Sequence, residues 1–171
     1  IDPDNMRIEE RPNLPRLDAI FDIRTNPIFQ SRTHRRLTMH DRHASAVAAL
    51  HAGWRGTAAG IGAKAVARFA TEGVASRDLI VALGPAILGC CYEVGEDVVA
   101  ALEAACGASA GYVATTDSGG HAVSLHAALR GQLVAAGVPF EAIHAAPWCT
   151  CCRRDLFFSF RGEGPATGRL M

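Results

Sequence analysis

The sequence predicts an α/β protein of the layered α+β kind, with mixed β-sheets packed against helices. Short apolar runs of strand length alternate with longer segments whose apolar residues recur at helical spacing. Glycine and proline separate the two kinds of segment. The chain has 171 residues, of which 49% are apolar and 20% charged, so it can bury a compact core. This alternation is typical of proteins in which helices cover a sheet.

The regular pattern begins after residue 44. Ala46–Leu50 is an apolar run that ends in His51, as expected of a buried strand. The remaining elements are predicted from apolar spacing and from glycine or proline stops. They are a helix around Ile61–Ala70 that stops at Gly73, a strand at Leu79–Leu83, helices at Glu96–Cys106 and Ser124–Ala136, and short strands at Ile143–Ala146 and Phe157–Phe160.

Residues 1–43 differ in character from residues 44–171. The first stretch has scattered prolines and many charges, and only Ala19–Ile23 has the pattern of a short strand. Residues 32–43 include seven arginine and histidine residues in total and only one aspartate. This run is consistent with a solvated basic segment and also with a surface patch that binds phosphate groups. We therefore divide the chain into a leader, residues 1–43, and one folded domain, residues 44–171.

Charge and composition exclude several classes of protein. Seventeen basic and seventeen acidic side chains leave no net field to attract nucleic acid or an acidic membrane. No run approaches the roughly 18 apolar residues of a membrane span, and no export signal is found. Six cysteines in an alanine-rich chain of this kind are expected to stay reduced. We predict a cytoplasmic protein, monomeric or a small homo-oligomer, without nucleic-acid or membrane partners.

His51 is the first candidate functional residue. It ends an apolar strand and precedes a glycine turn, which places its side chain at the rim of the predicted sheet. Imidazole there is suited to bind a metal ion or to act as a general base near neutral pH. A histidine that caps the core through a backbone carbonyl fits the same spacing, because one histidine alone makes no metal site.

Arg55 is the second candidate, in the same turn. Gly53 and Gly56 flank it and let the backbone approach a ligand closely. We predict that a helix begins near residues 57–58, so that its free N–H groups and the Arg55 guanidinium both face a phosphate. The structural alternative is an arginine stacked on Trp54 or paired with a carboxylate.

The cysteines lie in two dense stretches, Cys90–Cys91 and Cys149–Cys152. A cysteine in such a turn can be a nucleophile, a metal ligand or a small buried residue. Adjacent cysteines are awkward as joint ligands of one tetrahedral zinc, and the stretches lack the paired spacing of a zinc ribbon. We therefore expect no closed structural zinc site.

Four long stretches carry a resemblance to a known family, in the family's own order, across residues 41–171. They are VAALHAGWRGTAAGI from Val47, ALGPAILGCCYEVGEDV from Ala82, LRGQLVAAGV from Leu129 and CTCCRRDLFFSFRGEGPATGR from Cys149. On these stretches the chain resembles the YfiH-type proteins, labelled laccase-domain proteins or polyphenol oxidases and regarded as zinc-dependent purine nucleoside phosphorylases.

The resemblance implies a YfiH-like fold, with residues 44–171 as the C-terminal portion of the catalytic domain. It implies phosphorolysis of adenosine, inosine, guanosine and methylthioadenosine, with adenosine deamination as a second activity. It also implies one zinc ion held by two histidines and a cysteine, and it maps one of these ligands onto His51. Arg55 falls on the arginine of the same motif, and its phosphate-binding role is our inference. Cys90, Cys91 and Cys149 match family positions that do not bind this zinc.

Two ligand motifs of the family, a TADC-type and a QVHG-type motif upstream of HAGWRG, have no counterpart here. Without gaps, the cysteine position of the first falls on His34, which is therefore a second candidate metal ligand. The sequence also ends where the family continues into a last strand. We expect the C-terminal half of a family member behind a foreign or diverged leader.

Three other functions remain open. A copper-dependent, laccase-like polyphenol oxidase is suggested by the older family label, because histidine and cysteine also bind copper. A multicopper centre, however, needs more histidines than one motif supplies. A catalytically impaired module that binds a nucleoside or a partner protein would explain the missing ligands. A cysteine hydrolase would use Cys90 or Cys149 as its nucleophile.

Overall fold

The computed structural model describes residues 36–42, 46–107 and 111–168, and shows two sheets packed against helices. The predicted mixed α/β class is therefore confirmed. The predicted strand Ala19–Ile23 and the candidate ligand His34 lie outside the described residues, so the leader stays a prediction there. Within the described ranges, no helix has the length and apolar character needed to cross a membrane.

Seven strands and five helices form the described part of the chain. The strands are β1 (Arg36–Asp41), β2 (Val47–His51), β3 (Leu79–Leu83), β4 (Glu93–Val94), β5 (Val113–Thr115), β6 (His121–Val123) and β7 (Ile143–Ala145). The helices are α1 (Trp54–Ala58), α2 (Ile61–Thr71), α3 (Glu96–Cys106), α4 (Leu125–Ala135) and α5 (Phe160–Glu163), with 3₁₀ turns at Ser76–Asp78 and Phe140–Ala142.

The larger sheet has the order β2-β1-β3-β7 and the smaller sheet the order β4-β6-β5. In the larger sheet β1 runs antiparallel to both β2 and β3, and β7 runs parallel to β3. Strands β2, β3 and β7 therefore point the same way. Their carboxyl ends lie at one edge, where the loops that follow them meet.

Helices α2 and α4 bury their apolar faces against the larger sheet. On α2 the buried residues include Ile61, Val66 and Phe69, which recur at helical spacing. Leu129 and Leu133 of α4 belong to the same core. A second core joins α3 to the smaller sheet. The molecule thus has two adjoining cores, and the sheet edge described above lies where elements of both come together.

Strand β1 is absent from the sequence-based prediction. Its Leu37 and Met39 are fully buried while Thr38 between them is exposed, which is the alternation of a strand with one face in the core. The surrounding basic residues obscured this short pattern. Since β1 pairs with both of its neighbours, residues 36–41 form part of the domain's sheet.

The strand predicted at Phe157–Phe160 is wrong. Residues 154–156 form a turn, the chain bends at residue 157, and α5 begins at Phe160. The Ser159 hydroxyl accepts a hydrogen bond from the Gly162 N–H, and the Glu163 carboxylate accepts one from the Ser159 N–H. This reciprocal cap favours a helical turn over an extended chain. The other elements predicted within the described residues are confirmed with ends shifted by one or two residues, except for the helix start predicted near residues 57–58, which lies at Trp54.

A buried glutamine joins helix α4 to the short helix α1. Gln132 of α4 donates from Nε2 to the Thr57 carbonyl of α1 at 2.6 Å, and only 5% of the residue is exposed. We expect Gln132→Ala to lower the free energy of unfolding by about 1–3 kcal/mol, because a buried hydrogen bond is lost. Urea unfolding followed by circular dichroism measures this. Val134→Ala, at an exposed position of the same helix, is the control and should change stability by less than about 0.5 kcal/mol.

Candidate functional site

The HAGWRG segment, residues 51–56, leads from the carboxyl end of β2 into α1. His51 is the last residue of β2, is half-buried, and pairs in register with Arg36 of β1. A Cβ atom added to Gly53 would lie only 3.2 Å from His51 Nε2. The imidazole therefore lies across the turn against the glycine backbone, at the rim of the sheet as predicted.

Helix α1 begins earlier than the sequence predicted. The prediction was a start near residues 57–58, whereas the first helical residue is Trp54 and Gly53 is the extended residue before it. Thr57 explains the early start, because its backbone N–H and its hydroxyl both donate to the Gly53 carbonyl, at 2.9 and 3.0 Å. Arg55 consequently lies inside the first turn of a five-residue helix, and does not precede the helix.

Arg55 is exposed and stacks on its neighbour. Its Cζ atom lies 4.4 Å from the centre of the Trp54 ring, which is cation–π distance. The stacking on Trp54, which the sequence analysis gave as a structural alternative for Arg55, is therefore present. Stacking on a half-buried tryptophan also limits where the guanidinium can point.

Beside this turn lies an open cleft of about 530 Å³. Arg161 of α5 closes one side of it, with its Cζ 5.6 Å from the Tyr92 ring and its Nη2 donating to the Glu93 carbonyl at 3.3 Å. Sequence reasoning missed Arg161, because 68 residues separate it from Glu93 and no local signal connects them. The cleft is lined by Trp54, Tyr92, Glu93, Val94, Gly95, Val98 and Arg161.

The loops after β3 and β7 run side by side beyond the sheet. The Ala146 N–H donates to the Leu83 carbonyl at 2.9 Å, and the Thr150 N–H donates to the Ala86 carbonyl at 3.0 Å. Ala86 and Cys149 form a parallel bridge. The parallel pairing of the two strands thus continues into their loops and brings the two cysteine-dense stretches together.

Four cysteines converge where these loops meet. We call Cys90, Cys91, Cys149 and Cys152 the cysteine cluster, and their sulfur atoms all lie within 4.8 Å of one another. The Sγ of Cys152 is 3.6 Å from that of Cys90 and 3.4 Å from that of Cys91. This spacing is close enough to hold a metal ion. The expectation of no closed structural zinc site considered the spacing within each stretch only, and it did not foresee that the two stretches meet.

The protein environment shifts the pKa values of the cluster thiols in opposite directions. Burial raises the pKa of Cys149, but backbone N–H donors of Leu88, Cys152 and Cys151 outweigh it and lower that pKa to about 7. The Leu88 N–H lies 3.4 Å from the Cys149 sulfur. Desolvation and then the thiols of Cys149 and Cys152 raise the pKa of Cys90 to about 11. Cys149 is therefore the member best prepared to carry negative charge.

The described residues do not complete the metal site that the resemblance implies. In those ranges, the cysteine cluster is the only group of three or more His, Cys, Asp or Glu side chains with ligand atoms close together, and it does not include His51. His34 lies outside the described residues. Another histidine, His126 of α4, bonds through Nε2 to the Gly84 carbonyl at 3.0 Å and so has a structural partner.

The sequence of this chain is similar to those of several known proteins. A family model described as multi-copper polyphenol oxidoreductase laccase matches residues 35–171. The purine nucleoside phosphorylase YlmD of Geobacillus stearothermophilus is 42% identical over 130 residues, which are 75% of this chain and 47% of that protein. The adenosine deaminase RL5, from an unknown prokaryotic organism, is 37% identical over 134 residues, 78% of this chain and 51% of that protein.

Solved structures show the same relationship. The crystal structure of YlmD from Geobacillus stearothermophilus superposes with a TM-score of 0.74 at 40% identity, over 78% of this chain and 50% of that one. The Bacillus licheniformis hypothetical protein YfiH superposes with a TM-score of 0.71 at 34% identity, over 76% of this chain and 50% of that one. The chain spans about half the length of the relatives it matches.

Proposed function

Because the chain belongs to the multi-copper polyphenol oxidoreductase laccase family, we propose that it acts as a purine nucleoside phosphorylase. One observation carries the proposal. Relatives at 42%, 35% and 38% identity bear the name purine nucleoside phosphorylase, and the matched region extends over most of this chain. We propose adenosine, inosine, guanosine and methylthioadenosine as the nucleosides, with inorganic phosphate as the second substrate.

The reaction places two demands on the site. A phosphate oxygen forms a bond to C1′ of the ribose while the bond from C1′ to the purine nitrogen breaks, and the leaving purine takes up a proton. The site must therefore hold a phosphate anion beside C1′ and stabilise charge on the purine. We propose that Arg55 binds the phosphate, with Gly53 and Gly56 leaving room for the anion at the backbone.

We propose His51 as a catalytic residue and as a ligand of a zinc ion, with His34 as a second candidate ligand. Support for His51 comes from its place as the last residue of β2, at the edge of the larger sheet, whereas His34 is proposed from the resemblance alone. The described residues do not complete this zinc site, so no step of the reaction is derived through the metal. Localisation in the cytoplasm and a monomeric or small homo-oligomeric state also remain predictions.

Adenosine deamination is the second proposed activity, because the relative RL5 is named an adenosine deaminase. In that reaction water adds to C6 of the purine and ammonia leaves. A laccase-like copper oxidase is less well supported. In the part of the chain that the structure describes, no three histidines bring their ring nitrogens together, whereas a multicopper centre needs more histidine ligands than one motif supplies.

The proposal is tested by incubating the metal-replete chain with inosine and phosphate. We expect hypoxanthine and ribose 1-phosphate in equal amounts, and no hypoxanthine when phosphate is left out. A folded, metal-replete chain that releases no hypoxanthine would contradict the proposal. Calorimetric binding of inosine without turnover would instead favour the nucleoside-binding module.

Arg55 gives a sharper test of the phosphate site. We expect Arg55→Gln to raise the KM for phosphate about 10- to 100-fold, since a charge-assisted hydrogen bond contributes about 1.5–3 kcal/mol. The KM for inosine should change much less. Steady-state kinetics with each substrate varied in turn measures both constants.

Arg68→Gln is the matched control, because Arg68 is a surface arginine on α2 that forms an ion pair with Glu72 at 2.8 Å. It should leave both constants unchanged. An equal rise of the two KM values in Arg55→Gln would show that Arg55 does not single out phosphate.

A further inference from the structure

We propose that the cysteine cluster binds one divalent ion of the zinc class as a closed site with four thiolate ligands. The ligands come in pairs from two loops, Cys90 and Cys91 after β3, and Cys149 and Cys152 after β7. None of the four belongs to β2 or α1, so this site is distinct from the HAGWRG segment and does not depend on the proposed function. Its role is to fasten the two loops at the edge of the larger sheet.

The distances between the sulfur atoms support this assignment. Zinc–sulfur bonds of about 2.3 Å in a tetrahedron place the sulfurs about 3.8 Å apart. The separations from Cys152 Sγ to Cys90 Sγ and to Cys91 Sγ are 3.6 and 3.4 Å, and every pair lies within 4.8 Å. A disulfide would require about 2.05 Å. The thiols are thus too far apart to be bonded and need only small movements to surround an ion.

The backbone around the cluster is already folded as a ligand-bearing turn. Cys149 and Cys152 have two residues between them, which is the spacing of a zinc-binding knuckle. The Arg153 N–H donates to the Cys149 carbonyl at 2.9 Å and closes this turn. From the other loop, the Leu88 N–H donates to the Cys149 sulfur at 3.4 Å. Such N–H donors stabilise a coordinated thiolate.

The second pair is delivered by a tight turn after β3. The N–H groups of Cys91 and Tyr92 both donate to the Leu88 carbonyl, each at 3.0 Å. This turn brings the sulfurs of both adjacent cysteines to Cys152. Adjacent cysteines are awkward joint ligands in general, but this turn lets the sulfurs of Cys90 and Cys91 both lie next to the Cys152 sulfur.

Binding of the metal ion exchanges four thiol protons for one divalent ion. Each of the four thiols loses its proton to solvent, and the ion forms four bonds to sulfur without any oxidation or reduction. Because 61 residues separate Cys91 from Cys152, the ion closes a long segment of chain. Tyr92 and Glu93, which line the cleft beside Trp54, follow Cys91 directly. The ion would therefore also hold one wall of that cleft in place.

The test uses the full chain, purified under reducing conditions without a strong chelator. We expect one zinc equivalent bound at this site, and after exchange with cobalt(II) alone we expect a sulfur-to-cobalt charge-transfer band and the visible bands of tetrahedral cobalt. Cys152→Ser and Cys90→Ser should each weaken cobalt binding and lower the charge-transfer intensity, because each removes one of the four sulfur–cobalt bonds. A wild-type chain with fully reduced thiols and no thiolate–cobalt band would overturn the proposal, whether or not the variants fold.

Two further variants distinguish the cysteine cluster from the remaining metal-binding side chains of the protein. Cys106→Ser removes a cysteine of α3 outside the cluster and should leave the cobalt spectrum unchanged. His51→Ala should leave the sulfur-to-cobalt charge-transfer band unchanged, which separates the cluster from any metal bound at the HAGWRG segment. Loss of the band in either variant, or a Cys149–Cys152 disulfide in the chain purified anaerobically, would contradict the assignment.

Discussion

His51→Ala is expected to lower kcat for inosine phosphorolysis roughly 10²- to 10⁴-fold, the range typical for removal of a positioned acid–base group. His51 is the last residue of β2, its side chain lies against the Gly53 backbone, and it is three residues before Trp54, on which Arg55 stacks. Alanine removes both ring nitrogens, so it abolishes proton transfer and metal binding at this position alike. Hypoxanthine release under saturating inosine and phosphate measures the effect.

His144→Ala is the matched control for this variant. His144 is an exposed histidine on β7, away from the HAGWRG segment, and its removal should leave kcat unchanged. Thermal unfolding of both variants separates loss of activity from loss of fold, and His51→Gln retains a side chain of similar size. Full activity in a folded His51→Ala chain would refute the assignment of His51.

Phe69→Ala is expected to lower the free energy of unfolding by about 3–5 kcal/mol. Phe69 is fully buried and is the largest of the fully buried side chains among the described residues, in the core between α2 and the larger sheet. Truncation removes apolar area and leaves a cavity that the surrounding strands cannot fill without moving. The loss is a large part of the total stability of an ordinary domain. Urea unfolding followed by circular dichroism measures it.

Phe158→Ala provides the comparison, since the Phe158 side chain is 48% exposed. It should cost about 1 kcal/mol or less, because only part of the ring is removed from water. Equal losses in the two variants would mean that the core assigned to α2 does not dominate the stability of this chain.

The candidate site could be predicted from sequence only in part. His51 and Arg55 are neighbours in the chain, and their placement at the end of a strand follows from an apolar run and a glycine turn. The start of α1 was missed because the Thr57 hydroxyl reinforces the backbone hydrogen bond from Thr57 to the Gly53 carbonyl, and apolar spacing does not reveal such a bond. Arg161 was missed because it reaches the cleft from the far end of the chain.

The sequence by itself determined the local elements of this protein and its family. The positions of β2, α2, β3, α3 and α4 depend on apolar spacing and on glycine or proline stops, which act over a few residues. The HAGWRG segment and the other long stretches were sufficient to indicate the family. These signals are local, so they can be read without knowing how the chain folds back on itself.

Only the tertiary structure decided which distant residues meet. The parallel pairing of β3 with β7 continues into their loops and brings Cys90 and Cys91 to Cys149 and Cys152. The pairing of β1 with two neighbours likewise drew residues 36–41 into the sheet. Contacts of this kind depend on backbone hydrogen bonds between strands far apart in the chain, and neither composition nor spacing within one stretch encodes them.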